Sequence, residues 1–141
     1  MPGIDPSIIV YEIKTYLDTK LIRQKLQPVH PWKTTAIKAE IEKFLKARFI
    51  YPVPLTELVS NVIPFTKKQG TIRVYVNYRD LNLACPKDNY PTPFIDQIID
   101  NYAGSAIFSF MDGFFDYNQI EILPLDQLKT TFICPWGTFT Y

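Results

Sequence analysis

The sequence predicts an α+β domain in which two helices lie beside a mainly antiparallel sheet. Three observations lead there. A helix-period apolar pattern begins at Pro31, a second helix is signposted by prolines before Gly104, and alternating runs are separated by turn residues. At 141 residues the chain has room for one domain, or one domain and a piece of another. Apolar residues make up 47% and aromatics 15%, enough for a core and too much for a chain disordered by composition.

Residues 1–30 are punctuated by prolines, and Ile8 to Tyr16 alternates in a way that suits an edge strand. From Pro31, Ile37, Ile41, Phe44 and Leu45 fall at i, i+4, i+7 and i+8 and make one apolar helix face. Lys38/Glu42 and Glu42/Lys46 support the outer face. This helix is expected to end near Arg48, and Pro52 and Pro54 prevent its resumption. Val59 to Thr66 is extended, Lys67-Lys-Gln-Gly70 is a basic turn, and Thr71 to Tyr78 returns as a strand. The result is a hairpin with two lysines at its tip and Arg73 just beyond.

Leu81 to Asn89 reads as loop. The second helix has Thr92 as N-cap, Pro93 at N1, apolar Phe94, Ile95, Ile98, Ile99 and Tyr102, and Gly104 as its stop. Ile107 to Ile122 supports two readings. Asp112-Gly113 between β-prone runs suits a hairpin turn. The alternative is that Asp112 closes an apolar strand, where a carboxylate can hold a metal ion beside a nucleotide; the local pattern by itself favours the hairpin. Thr131 to Cys134 and Phe139 to Tyr141 pair around Trp136-Gly137. The chain stops inside that last strand, so its ladder is expected to lack a continuation.

Composition removes several functions. No apolar run approaches the roughly 20 residues that span a bilayer, so no membrane partner is expected. The N-terminus lacks the regions of a secretory signal and carries acid early, at Asp5 and Glu12. Cys85 and Cys134 show no pairing pattern and suit reduced thiols in an intracellular protein. With His30 the single histidine, His-rich zinc sites and Ser-His-Asp or Cys-His centres lack their parts. Residues 1–90 hold 14 Lys/Arg against 8 Asp/Glu, whereas residues 91–141 hold Lys129 against 6 acids. A basic front and an acidic back suit a polyanion held by one half and cations by the other, or a solvated surface of mixed charge.

One set of motifs goes further. Lys67-Lys-Gln-Gly-Thr-Ile-Arg-Val-Tyr-Val-Asn-Tyr-Arg-Asp-Leu-Asn82 is followed by Lys87-Asp-Asn-Tyr-Pro-Thr-Pro93 and then by Phe108-Ser-Phe-Met-Asp112. In order and spacing these blocks resemble the reverse transcriptase of gypsy-class LTR retrotransposons, plant members especially. The resemblance covers almost the whole chain. It implies a reverse-transcriptase-like fold: an N-terminal extended segment (1–30), a fingers-like region (31–90), and the start of a palm (91–141), a truncated ferredoxin-like antiparallel sheet with helices.

By the same resemblance Asp112 is the first catalytic carboxylate and binds Mg²⁺, and Gly113 lends a backbone carbonyl. Lys67 or Lys68, with Arg73, closes on the incoming triphosphate, and Tyr117 is the gate that excludes a ribose 2′-hydroxyl. The implied partners are an RNA or DNA template-primer and dNTP. Polymerases place carboxylates here because paired metals activate the primer hydroxyl and neutralise the leaving pyrophosphate.

The chain also departs from the family. The [YF]-x-D-D motif that supplies the remaining carboxylates does not occur. Asp116 stands beside the nucleotide where Gly is usual, Asn77 replaces Asp, Arg48 replaces a helix-terminating Gly, and Phe115 replaces a small polar residue. Half a two-metal site cannot supply polymerase rate enhancement. The expectation is therefore an RNA-directed DNA polymerase homologue, a retrotransposon-derived fragment inactive alone, needing the remaining palm in cis or in trans. The alternatives are a non-catalytic nucleic-acid-binding module using residues 20–48 and 67–79, or a translated relic with no task. A retroelement product would work in cytoplasmic particles; an organelle-encoded one, as in a plant mitochondrion, would need no targeting signal.

Overall fold

The computed structural model describes residues 4–54, 56–68, 70–109 and 119–141. The first helix, α1, spans Pro31–Lys46, with Pro31 at a position where its missing N–H costs nothing. Ile37 and Ile41, one turn apart, are its buried pair. Its end is closed by two backbone hydrogen bonds, from Arg48 N–H to the Leu45 carbonyl (3.1 Å) and from Phe49 N–H to the Phe44 carbonyl (3.0 Å). That pairing is a Schellman motif, which needs a left-handed residue between its donors. Arg48 fills the position at φ 59°, the one non-glycine positive φ among the described residues. Its Cβ is strained there, so Arg48→Gly is expected to raise stability by about 0.5–1 kcal/mol, net of the looser unfolded chain. Chemical denaturation checks this, and a loss of stability would contradict it.

Five strands follow the order β1-β5-β4-β2-β3. They are β1 (Tyr51–Pro52), β2 (Ser60–Thr66), β3 (Ile72–Val76), β4 (Phe132–Cys134) and β5 (Gly137–Thr140). All neighbours are antiparallel except β2 and β4, which run parallel with Ser60 opposite Phe132. A parallel pair needs a long crossover, and residues 67–131 supply it. The sheet thus takes strands from both halves of the chain. The expected open ladder at the last strand does not occur. β5 is paired on both sides, Phe139 with Phe132 of β4 and Thr140 with Tyr51 of β1. Pro52 is tolerated because β1 lies at the edge.

Alternation puts Val62, Val74, Val76, Phe132, Cys134 and Phe139 on the sheet face that α1 covers, where Ile37, Ile41 and Ile50 meet them. A smaller cluster holds Ile13, Leu58 and Leu81, with Tyr78, Cys85 and Ile122 against it. Leu81 explains a difference from the sequence reading. Arg79–Ala84 is a short helix, α2, rather than loop, because Leu81 and Ala84 are buried one turn apart. Six residues carry too little periodicity to show this in the sequence.

The next helix, α3, spans Ile95–Tyr102 and begins later than expected. Phe94, not Thr92, is its N-cap, with extended backbone (ψ 144°) and no side-chain cap. The Pro91-Thr92-Pro93 run stays outside the helix, since proline disfavours helical backbone in the residue before it. The apolar residues of α3 follow helical spacing, yet none is buried. The alternating segment from Ile8 makes a single parallel bridge, Tyr11 with Ile122, rather than a full strand.

Candidate nucleic-acid interface

The β2–β3 hairpin is exposed towards its turn, where β2 passes from buried to exposed residues and β3 alternates. Its turn is closed by hydrogen bonds from Lys67 N–H to the Thr71 carbonyl (2.8 Å) and from Gly70 N–H to the Lys67 carbonyl (2.9 Å). Gly70 takes φ 81°, which a side chain would resist. Lys67 is half-buried, and Lys68 and Arg73 are exposed. None of the three forms an ion pair among the described residues.

Register determines what accompanies these cations. Phe65 stands opposite Arg73, and Ile63 opposite Tyr75. Residues directly across an antiparallel pair share a face, so these four project together, away from α1. Phe65 is 56% and Tyr75 51% exposed, their rings edge to face at 6.0 Å. An open β-surface carrying two aromatic rings, an aliphatic side chain and an unpaired arginine, with two lysines at its tip, can stack on bases and neutralise phosphates.

At the hairpin's base lies a cleft of about 600 Å³ lined by Lys25, Gln27, Asn61, Asn77, Arg79 and Asp80, among others. Its wall is a polar network centred on Asn61, which is 2% exposed. The Asn61 amide donates to the Gln24 side-chain oxygen (3.2 Å) and the Lys25 carbonyl (2.8 Å), and its oxygen accepts from Gln27 N–H (3.0 Å). Gln24 in turn donates to Asp80 (2.7 Å). These bonds fasten residues 22–27 beside β2, aided by the Arg23–Val59 bridge. Lys25 and Arg79 are left exposed at the rim.

Tyr78 donates its hydroxyl to the Thr130 carbonyl (2.8 Å), tying the hairpin's base to the entry of β4. Burial, with the nearby Tyr141, pushes its phenol far above the ordinary range despite that hydrogen bond. Tyr78 therefore acts as a neutral anchor.

The structure brings Lys67, Lys68 and Arg73 onto one hairpin, as expected. Asp112, Gly113, Asp116 and Tyr117 lie outside the described residues. The cleft escapes a linear reading because it joins residues near 25, 61 and 79 that no motif spacing connects. Lys25 falls in the basic stretch 20–48 and Arg79 in the 67–82 block, but only the fold sets them at one rim.

No protein-family model matches the chain. The transposon Tf2-3 and Tf2-4 polyproteins of Schizosaccharomyces pombe are each 34% identical over 114 residues, which is 81% of this chain and 8% of the relative. The chain is a homologue of a retrotransposon polyprotein segment. It spans about 8% of the length of the curated relatives it matches. Among solved structures, the foamy viral protease-reverse transcriptase in complex with dsDNA aligns with TM-score 0.73 at 14% identity, covering 94% of this chain and 28% of that one. The native prototype foamy virus protease-reverse transcriptase aligns with TM-score 0.71 at 21% identity, over 94% of this chain and 18% of that one. The fold of this retroelement homologue is thus one found within a retroviral protease-reverse transcriptase. Among the described residues no helix is long and apolar enough to cross a membrane.

Proposed function

We propose that this chain is the nucleic-acid-gripping part of a reverse transcriptase homologue of the gypsy class, plant type. In this reading the β2–β3 hairpin and its sheet are the fingers, and the segment from α3 towards Asp112 opens the palm. The observation that carries it is the hairpin's open face, where Arg73, Phe65 and Tyr75 stand together beyond Lys67 and Lys68. The rim cations Lys25 and Arg79 continue the same surface at its base. The template-primer lies across this face with its phosphates on the tip lysines and Arg73, and the same cations meet the triphosphate when a dNTP enters.

Asp112 and the Gly113 carbonyl are oxygen donors of the kind Mg²⁺ accepts, and one carboxylate falls short of a two-metal site. When bound, the ion would neutralise charge on the phosphates. Asp116 and Tyr117 flank the nucleotide, Tyr117 as the sugar gate. Without the [YF]-x-D-D carboxylates the chain grips its substrate but does not extend a primer, and extension requires the remaining palm in cis or in trans.

The test is titration of a labelled RNA–DNA primer-template at rising salt, with Mg²⁺ and dNTP present. Binding is expected to weaken steeply with salt, since each neutralised phosphate adds about 0.7–0.9 to the slope of log K against log salt. No primer extension is expected. A flat salt response, or extension by the chain alone, would contradict the reading.

A further inference from the structure

Among the described residues, 4–16 cross the molecule with few attachments. Ile13 is the one buried side chain in this stretch, whereas Ile8 is 77% and Tyr11 59% exposed. Backbone hydrogen bonds hold it at Ile4 (to Gln119, 2.8 Å), at Tyr11 (to Glu121, 2.8 Å, and from Leu123, 2.9 Å) and at Tyr16 (to Ala84, 2.9 Å). A segment so thinly packed has low local stability unless something else fastens it.

The fastening is ionic and centred on one residue. The Ile13 N–H donates to a carboxylate oxygen of Asp126 (2.9 Å), and the Lys129 ammonium donates to the Ile13 carbonyl (2.7 Å). The same ammonium sits 2.6 Å from the other Asp126 oxygen. Asp126 is buried and its ion pair with Lys129 lies within residues 126–129, so the pair stands as a preformed clamp whose two hydrogen bonds to Ile13 are what opening breaks. Burial alone would raise its carboxyl, but the hydrogen bonds from Lys129 and Ile13 and the ammonium's charge hold it below the usual carboxylate range. Where the backbone ladder between Tyr11 and Ile122 stops, two side chains take over its next rung.

We propose that residues 4–16 form a separable strap, latched by Asp126 and Lys129 on the backbone of Ile13, that opens without disturbing the main sheet. Opening withdraws Ile13 from Leu58 and Leu81 and breaks the backbone hydrogen bonds that Ile4 and Tyr11 make with Gln119, Glu121 and Leu123. It also uncovers Cys85, which packs against that small cluster, while Cys134 stays in the main core.

Both cysteines are free thiols, so they report the two regions separately. Alkylation of each can be followed by mass spectrometry in the full chain, in Asp126→Asn and in Lys129→Met. Both variants are expected to speed Cys85 labelling by on the order of tenfold, leaving Cys134 unchanged. Loss of the Lys129 charge would by itself slow Cys85, because the nearby ammonium lowers its thiol against the rise from burial. Acceleration therefore reports opening. Unchanged Cys85 labelling in both variants would overturn the proposal, and so would equal acceleration of both cysteines, since the strap would then open only with the whole fold.

Discussion

Phe132→Ala is expected to lower stability by about 3–5 kcal/mol, the range for emptying a well-packed aromatic site. Phe132 is 1% exposed and lies where the sheet and α1 close on each other. Its ring is 6.0 Å from that of Phe139 on β5 and 5.8 Å from that of Tyr141. β4 is also the strand that joins the two parts of the sheet, antiparallel to β5 and parallel to β2. Truncation there removes ring contacts and loosens both pairings. Domains of this size are held by about 5–15 kcal/mol in all, so little margin would remain. Urea denaturation checks this, and a loss below about 1 kcal/mol would show that Phe132 is not the centre of the core.

Asn61→Ala is expected to cost about 2–4 kcal/mol although it removes no apolar contact of note. The side chain makes three hydrogen bonds from a buried position, and the backbone N–H of Asn61 donates to Gln24 as well (2.9 Å). Alanine leaves the Gln27 N–H and the Lys25 carbonyl without the partner that the buried Asn61 side chain supplies. The strapping of residues 22–27 loosens, and Lys25 leaves the cleft's rim. Nucleic-acid affinity should therefore fall together with stability. A variant as stable as the parent would mean that water replaces the network without penalty.

Much of this was readable before the fold was known, and the unread parts share a cause. α1 and the two hairpins are local objects: Ile37 and Ile41 repeat at helical spacing, and turns at Gly70 and Gly137 join alternating strands. Arg48 was recognisable as an arginine in a glycine's place, and its φ of 59° gives the reason. The parallel pairing of β2 with β4 was not readable, because no local rule connects Ser60 to Phe132 across the crossover. The enclosure of β5 depends on Tyr51 and Pro52, too short a strand to register as one. Thr92 and Pro93 form a good start signal for a helix, but Phe94 holds the cap instead. On the site, Lys67, Lys68 and Arg73 follow from the motif. The aromatic face beside them follows only from register, and the cleft only from tertiary assembly.

The central claim is that the β2–β3 hairpin holds nucleic acid through its cations. The most direct test replaces Lys67, Lys68 and Arg73 together with glutamine and measures primer-template affinity against salt beside the parent chain. All three lie on a turn or an exposed strand face, so the fold should persist. If each meets one phosphate, the slope of log K against log salt should flatten by about 2–3. An unchanged slope with the fold intact would place the grip elsewhere and contradict the account.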